Sequence, residues 1–193
     1  MKDFSNFIKE CRRIREESLS CGAYPIAEEE ALILYAITFE KAVLMKGVNV
    51  VEVGSGCGYS GIWFLKALGD SGYPHTSRVV MIEKEKKRAE KIVEVIKRIR
   101  YSGPVEIKIG DAKDVLKAIN FPVHIAFLDA AKSEYHVYLK LLEPNLLEGS
   151  IVLAHNFEEY WGMTEYVKIV MDKSKYITSV LPTSLSLAIS IKI

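Results

Sequence analysis

Short apolar runs alternate with amphipathic stretches along most of the chain. Apolar runs bounded by glycine, proline or charged residues predict buried strands, and apolar positions three and four residues apart predict helices with one buried face. The predicted strands cover residues 49–53, 78–83, 105–109, 123–128, 150–154, 176–181 and 185–193. The predicted helices cover residues 3–18, 27–45, 59–68, 84–101, 112–119, 133–142 and 157–172.

The order of these elements defines the fold class. Strands that alternate with helices predict a parallel sheet with crossover helices. Only Pro182, Thr183 and Ser184 separate the last two strands, and so short a connection predicts an antiparallel hairpin. We therefore expect an α/β fold with a doubly wound, mostly parallel seven-stranded sheet and an antiparallel C-terminal hairpin strand. Ligands of such sheets bind beyond the carboxyl ends of the strands, near the first and fourth strands here.

Composition narrows the class of protein. The chain has 193 residues, a length that predicts one domain over residues 1–193. Its 26 basic and 25 acidic residues argue against a generally basic nucleic-acid binder. We expect no membrane span, since no apolar stretch is long enough. Cys11, Cys21 and Cys57 have no metal or disulfide spacing, which predicts reduced thiols and a cytoplasmic protein.

A glycine-rich loop follows the first predicted strand and opens a helix. It runs from Glu52 to Ser60 and contains Gly54, Gly56 and Gly58. Glycines let the backbone turn tightly and approach a ligand closely, and the helix start favours an anionic group. The dinucleotide fingerprint G-x-G-x-x-G does not fit, because residue 59 is tyrosine.

This G-x-G-x-G loop, preceded by an acid, resembles motif I of class I S-adenosylmethionine-dependent methyltransferases, whose Rossmann-like fold matches the predicted one. The resemblance implies that Glu52 and the three glycines belong to the cofactor site. It also implies that Ser60 bonds the cofactor carboxylate, and that residues 1–46 form N-terminal helices that pack on the sheet and cover this site.

Acidic residues end the second and third strands. The resemblance implies that Glu83 accepts hydrogen bonds from the ribose hydroxyls, and that Asp111 and Ala112 contact the adenine. Each acid also has a structural alternative: Glu83 as an acid at a helix N-terminus, and Asp111 as a helix cap.

The fourth and fifth strands carry the residues that resemble one group of these enzymes. The segment from Asp129 through Lys132 to Tyr135 resembles the D-A-x-K-x-x-Y segment of the catechol and caffeoyl-coenzyme A O-methyltransferases, and His155-Asn156 resembles their Asp-Asn ending. The resemblance implies that Asp129, residue 155 and Asn156 bind a divalent metal, with Asp129 also at the cofactor site. It further implies that Lys132 takes the proton of the acceptor hydroxyl.

The departure from this pattern is His155, where the group has aspartate. An imidazole in place of the carboxylate removes one negative charge and one hard oxygen ligand from the metal site, so Mg²⁺ binding is weakened or a softer ion is preferred. In the alternative, the metal is lost and His155 itself acts as a base. A purely structural, hydrogen-bonded histidine is the third interpretation.

We expect methyl transfer from S-adenosylmethionine to a hydroxyl of a small molecule, in a homodimer, with no nucleic-acid or membrane partner. The alternatives are a metal-independent methyltransferase acting on RNA, protein or a nitrogen acceptor, and a non-catalytic S-adenosylmethionine-binding protein. The basic stretch 84–100 favours the first alternative. Tyr160, Trp161 and Met163 are candidates for the wall of an aromatic substrate pocket or for a dimer contact, with ordinary packing as an equal alternative.

Overall fold

The computed structural model describes residues 4–158 and 162–193, and these form one sheet with helices on both faces. The strands are β1 Asn49–Val53, β2 Arg78–Glu83, β3 Val105–Ile109, β4 Val123–Leu128, β5 Leu146–His155, β6 Tyr176–Leu181 and β7 Leu187–Lys192. The α-helices are α1 Phe4–Ser20, α2 Glu28–Met45, α3 Tyr59–Ser71, α4 Lys86–Ile99, α5 Ala112–Lys117, α6 Tyr135–Leu142 and α7 Thr164–Val170. Short 3₁₀ helices precede and follow α6, at Lys132–Glu134 and Glu143–Asn145.

The strand order is β3-β2-β1-β4-β5-β7-β6. Strands β1 to β5 pair in parallel, and β7 pairs antiparallel with both β5 and β6. The predicted fold class is therefore confirmed, including the hairpin strand. The order reverses between β1 and β4, so the carboxyl ends of these two strands form the crevice in which such sheets bind ligands.

Each face of the sheet has its own apolar core. Helices α1 to α4 cover one face, where Trp63 and Phe64 of α3 pack among strand residues such as Phe127. Helices α5 to α7 cover the other face, where Tyr135 and Tyr166 pack edge to face with ring centroids 5.6 Å apart. Burial on both faces explains why β1, β2 and β4 are apolar without alternation.

Glycines account for two differences from the predicted bounds, at the end of α3 and at the start of β5. Helix α3 continues through Gly69, which does not adopt a positive φ, to Ser71, and it ends at Gly72, where φ is +84°. Strand β5 begins at Leu146 rather than residue 150, because an irregularity around Gly149 lets Leu146 pair with Val123 before the regular register starts at Ile151.

The predicted helix over residues 157–172 is shorter in the structure. Gly162 has a φ of +77°, outside the right-handed helical region, and α7 begins at Thr164. Met163 is buried, whereas Tyr160 and Trp161 lie outside the described residues. In the described part of the chain, no helix is both long enough and apolar enough to span a bilayer.

Candidate active site

A cavity of about 640 Å³ opens at the carboxyl ends of β1 to β5. Its size lies within the roughly 300–1,000 Å³ of small-molecule sites. Apart from Glu52 and Gly58, every residue predicted for cofactor binding, metal binding or catalysis lines this cavity: Gly54, Gly56, Ser60, Glu83, Asp111, Ala112, Asp129, Lys132, His155 and Asn156. Residues from five strand ends thus meet in one crevice, as the parallel topology requires. Met163, a candidate for the acceptor pocket, packs instead in the apolar core beneath α5 to α7.

The glycine loop brings the ends of β1 and β4 together. A Cβ on Gly54 would lie 2.1 Å from the backbone oxygen of Asp129, so this position accepts no side chain, and its φ of +88° also favours glycine. The Asp129 amide donates to the Val53 carbonyl at 2.8 Å. Gly58 is the residue before α3, where its φ is +93°. It does not form part of the cavity wall. The loop therefore fixes Asp129 as well as the cavity floor.

Glu52 is fully buried beneath this loop rather than at the cavity wall. The Ser60 hydroxyl donates to Glu52 Oε1, while Oε2 has no hydrogen-bond partner. Burial is the largest influence on this carboxyl and raises its pKa to about 7. Glu52 thus orients the Ser60 side chain from below, and Ser60 is the one of the two that faces the cavity.

Glu83 and Asp111 present carboxylates at the neighbouring strand ends. Glu83 accepts from the Gly56 amide at 2.7 Å and from the Glu85 amide at 2.8 Å, which holds its side chain against the glycine loop. Asp111 accepts from the Lys113 amide at 2.9 Å as the cap of α5, and this hydrogen bond lowers its pKa. Asp111 thus has the capping role given above as its structural alternative, whereas Glu83 lies before α4, whose first turn contains no acid. Both acids line the cavity.

Three predicted residues form a hydrogen-bonded cluster at the other end of the cavity. Asp129 Oδ1 accepts from Lys132 Nζ at 2.7 Å and lies 2.9 Å from His155 Nδ1. Lys132 Nζ also donates to the Tyr135 hydroxyl oxygen at 2.9 Å, and that hydroxyl donates to the His155 backbone oxygen at 3.3 Å. The start of α6 and the end of β5 therefore converge on the Asp129 carboxylate.

Glu30 of α2 completes this cluster and was not predicted. Its Oε2 lies 3.1 Å from His155 Nε2, an ion-pair contact without the angle of a well-directed hydrogen bond. Its Oε1 accepts from the Thr183 hydroxyl at 2.6 Å, in the hairpin connection. The sequence shows Glu30 only as one of three acids in the first helical turn, a pattern typical of solvent-exposed side chains.

The cluster favours charged side chains despite its burial. Burial alone would lower the pKa of His155, but the hydrogen bond to Asp129 and the nearby carboxylates of Asp129 and Glu30 raise it to about 9. Burial would likewise raise the pKa of Asp129 and of Glu30, yet their basic neighbours lower both. At neutral pH, His155 is therefore an imidazolium between two carboxylates.

The donor set does not fit a divalent metal. Both ring nitrogens of His155 face carboxylate oxygens, and the same Asp129 oxygen serves Lys132 and His155. Asn156 lines the cavity, but its amide donates to the Leu185 carbonyl at 3.4 Å. Across residues 4–158 and 162–193, no three His, Cys, Asp or Glu side chains are grouped as a metal site.

The segment between α1 and α2 lines the opposite side of the cavity with Gly22 to Ile26. Arg88 of α4 holds it there by donating to the Gly22 carbonyl at 2.8 Å and the Cys21 carbonyl at 3.4 Å. Arg98 of the same helix pairs with Glu10 and Glu17 of α1 at 2.5 and 2.9 Å. Part of the basic character of α4 is therefore used to fix the N-terminal segment rather than to face a nucleic acid.

Comparison with known proteins identifies the architecture. A family model described as a methyltransferase domain matches residues 51–157. A catechol O-methyltransferase of Niastella koreensis is 31% identical over 123 residues, 60% of this chain and 52% of that protein. A protein-L-isoaspartate O-methyltransferase of Methanococcus maripaludis is 31% identical over 140 residues, 72% of this chain and 61% of that protein. The chain thus spans about half to three fifths of the length of these relatives.

Among solved structures, an O-methyltransferase of Bacillus cereus in complex with S-adenosylhomocysteine superposes with a TM-score of 0.80. The alignment covers 96% of this chain and 91% of that one at 17% identity, a level that supports the fold alone. Together, the family match and the relatives confirm the resemblance drawn from the glycine loop and the fourth strand.

Proposed function

Because the chain belongs to the methyltransferase-domain family, we propose that it transfers a methyl group from S-adenosylmethionine to a hydroxyl of a small-molecule acceptor. The observation that carries this proposal is the position of Lys132. Its amine lies in the wall of the same cavity that the glycine loop, Glu83 and Asp111 line. A base and a cofactor site in one crevice are what proton removal and methyl transfer together require.

The cofactor side of the cavity supplies three kinds of contact. Gly54 and Gly56 let the methionine part approach the backbone, with Ser60 at the start of α3 for its carboxylate. The Glu83 carboxylate, already oriented by two amides, accepts from the ribose hydroxyls through its remaining lone pairs. Asp111 and Ala112 also line the cavity, and we assign them to the adenine.

Lys132 is oriented to act as the base. A neutral amine has two hydrogens and one lone pair, and Lys132 Nζ already has two acceptors, Asp129 Oδ1 and the Tyr135 hydroxyl. Because Lys132 also lines the cavity, we assign the remaining position on Nζ to the acceptor hydroxyl. His155 has no such free nitrogen, since each of its two ring nitrogens contacts a carboxylate. We therefore assign proton transfer to Lys132 and positioning to His155.

The reaction proceeds in one displacement. The acceptor hydroxyl gives its proton to Lys132 Nζ, and its oxygen attacks the methyl carbon in line with the carbon–sulfur bond. That bond breaks, and the sulfur keeps the electron pair, which leaves S-adenosylhomocysteine and a methyl ether. Asp129 stabilises the ammonium that forms on Lys132, because the two groups are 2.7 Å apart in a largely buried site.

Methyl transfer from labelled S-adenosylmethionine to a panel of phenols, catechols and aliphatic alcohols tests this assignment. Loss of a general base typically lowers the rate by about 10²–10⁴-fold, so Lys132→Ala should lose that factor while it still binds S-adenosylhomocysteine. Lys117→Ala is a matched control, because Lys117 is exposed and pairs with Asp114 within α5. A Lys132→Ala variant with unchanged turnover would refute the role of the base.

A carboxylate acceptor on a protein is the second candidate, favoured by the isoaspartate relative. A carboxylate is already ionised at neutral pH and needs no base, so Lys132→Ala would then leave the rate unchanged. Incorporation of label into aged peptides in preference to small alcohols identifies this case. Cofactor binding without transfer to either class would support a non-catalytic binding protein.

We also propose that the protein acts as a cytoplasmic homodimer. Exposed apolar side chains on the outer strands support a contact surface: Ile177 of β6 is 62% exposed and pairs in register with Ile191 of β7, which is 38% exposed. Sedimentation equilibrium of the wild type beside Ile177→Lys measures the mass. A wild type that sediments as a monomer contradicts the proposal.

A further inference from the structure

We infer that Glu30 is a positioning residue of the active site, and that Glu30 and Asp129 hold His155 in a carboxylate clamp that excludes a divalent metal. The clamp is defined as the side chains of Glu30, His155 and Asp129. The part of the inference that concerns catalysis rests on the proposed methyl transfer, whereas the part that concerns metal exclusion is tested by binding alone.

Glu30 caps the start of α2, and its side chain is in addition built into the active site. The side chain is 1% exposed, although it lies in the first turn of α2. Its Oε2 accepts from the Ala27 amide at 3.0 Å and lies 3.1 Å from His155 Nε2. Its Oε1 accepts from the Thr183 hydroxyl at 2.6 Å. Donors from three separate parts of the chain therefore hold one buried carboxylate in a single orientation.

The imidazole is held from both sides as a result. His155 Nδ1 lies 2.9 Å from Asp129 Oδ1, and Nε2 faces Glu30 on the other side. A histidine binds a metal through the lone pair of one ring nitrogen. Here that nitrogen would first have to leave a carboxylate in a site that is almost closed to solvent, since the His155 side chain is 4% exposed. The clamp therefore occupies the ligand position and leaves no vacant donor.

The same contacts extend to the base. Carboxylates alternate with basic groups along a row of four side chains: Glu30, His155, Asp129 and Lys132. Loss of the Glu30 carboxylate frees one side of the ring, so the ring and the Asp129 oxygen it contacts are no longer fixed. Asp129 in turn fixes Lys132 Nζ. Misplacement of a catalytic group by about 1 Å can cost 10²-fold in rate, so Glu30 acts on turnover without touching the substrate.

Calorimetric titration of Mn²⁺ into the protein saturated with S-adenosylhomocysteine tests the metal part. We expect no saturable binding to the wild type. His155→Asp should bind Mn²⁺, because Glu30, Asp129, the new carboxylate and Asn156 then offer hard oxygen donors. Glu30→Gln combined with His155→Asp should bind more weakly than His155→Asp alone. Saturable binding to the wild type that Asp129→Ala abolishes overturns the inference, and so does a folded His155→Asp variant that binds no metal.

Steady-state kinetics test the positioning part. Glu30→Gln should lower kcat by about 10-fold to 10²-fold. The KM for S-adenosylmethionine and the affinity for S-adenosylhomocysteine should stay within twofold of the wild type. Glu29→Gln is the matched control, since Glu29 lies in the same turn and contacts Ser184 of the same hairpin connection without reaching His155. Equal kcat values for the two variants overturn the inference.

Thr183→Val is the second variant, in case Glu30→Gln fails to fold. It removes the donor to Glu30 Oε1 and leaves the clamp itself intact, so a smaller fall in kcat with unchanged KM is expected. An unchanged kcat in this variant counts against the inference. If the wild type transfers no methyl group to any acceptor, the proposed function fails, while the Mn²⁺ titration still decides whether the clamp excludes metal.

Discussion

The stability of the protein should fall between pH 6.5 and pH 9 because of His155. The pKa of this imidazole is raised to about 9 in the folded protein, against 6.5 for an unperturbed histidine. The folded state therefore binds the proton more tightly than the unfolded state. That contribution is fully present below pH 6.5 and is lost as the pH rises through 9. A difference of two and a half pKa units corresponds to about 3 kcal/mol, a large part of the stability of a domain this size.

Urea unfolding at pH 6.0 to 9.5, followed by tryptophan fluorescence, measures this effect with the buried Trp63 as a probe. His155→Gln serves as the reference, because it removes the titrating group and leaves the other groups in place. The buried thiols of Cys11 and Cys57, whose pKa values are raised to about 12 and 11, act alike in both proteins. The free energy difference between wild type and variant should shrink by about 3 kcal/mol across this range. A difference that stays constant within about 0.5 kcal/mol would show that His155 is not held as an imidazolium.

Further predictions concern the cofactor side of the site. The pKa of Glu52 is about 7 in the folded protein, against 4.5 for an ordinary glutamate. As the pH rises from 4.5 to beyond 7, the wild type should therefore lose about 3 kcal/mol of stability relative to Glu52→Gln, measured by the same unfolding assay. Gly54→Ala should destabilise the fold and abolish S-adenosylhomocysteine binding by calorimetry, because the new methyl group would meet the Asp129 backbone at 2.1 Å; binding within twofold of wild type would contradict this. Glu83→Gln should weaken S-adenosylhomocysteine binding about 10-fold to 100-fold, the usual size of lost hydrogen bonds to a charged group, and an unchanged Kd would remove Glu83 from the ribose site.

The strands were predictable because their sequence pattern is local. Residues 49–53, 78–83, 105–109, 123–128 and 176–181 are bounded by glycine, proline or polar residues, and the structure has strands at these bounds. The start of β5 was not predictable in this way, since Leu146 pairs with Val123 only through an irregular register. Helix α7 was predicted too long because the apolar spacing continues across Gly162, whose own φ of +77° is not helical, and the helix begins at Thr164.

The site was predictable where the topology alone brings residues together. Parallel strands place their carboxyl ends at one edge, so Gly54, Glu83, Asp111 and Asp129 meet whatever the details of packing. Glu30 was missed for the opposite reason. Its role depends on two contacts, His155 and Thr183, that lie more than a hundred residues away along the chain. No local pattern distinguishes it from its exposed neighbour Glu29.

The position of β7 between β5 and β6 bears on how the protein is made. Synthesis proceeds from β5 to β6 before β7 exists, so the nascent chain cannot yet place β6 in the sheet. Until β7 emerges and inserts, β5 exposes an unpaired edge whose Ile151 to His155 later bond to Leu187 to Ile191. Unpaired apolar edges of this kind are prone to pair with other chains. The protein therefore depends on prompt insertion of this strand, and a ribosome that stalls after residue 181 would release an aggregation-prone product.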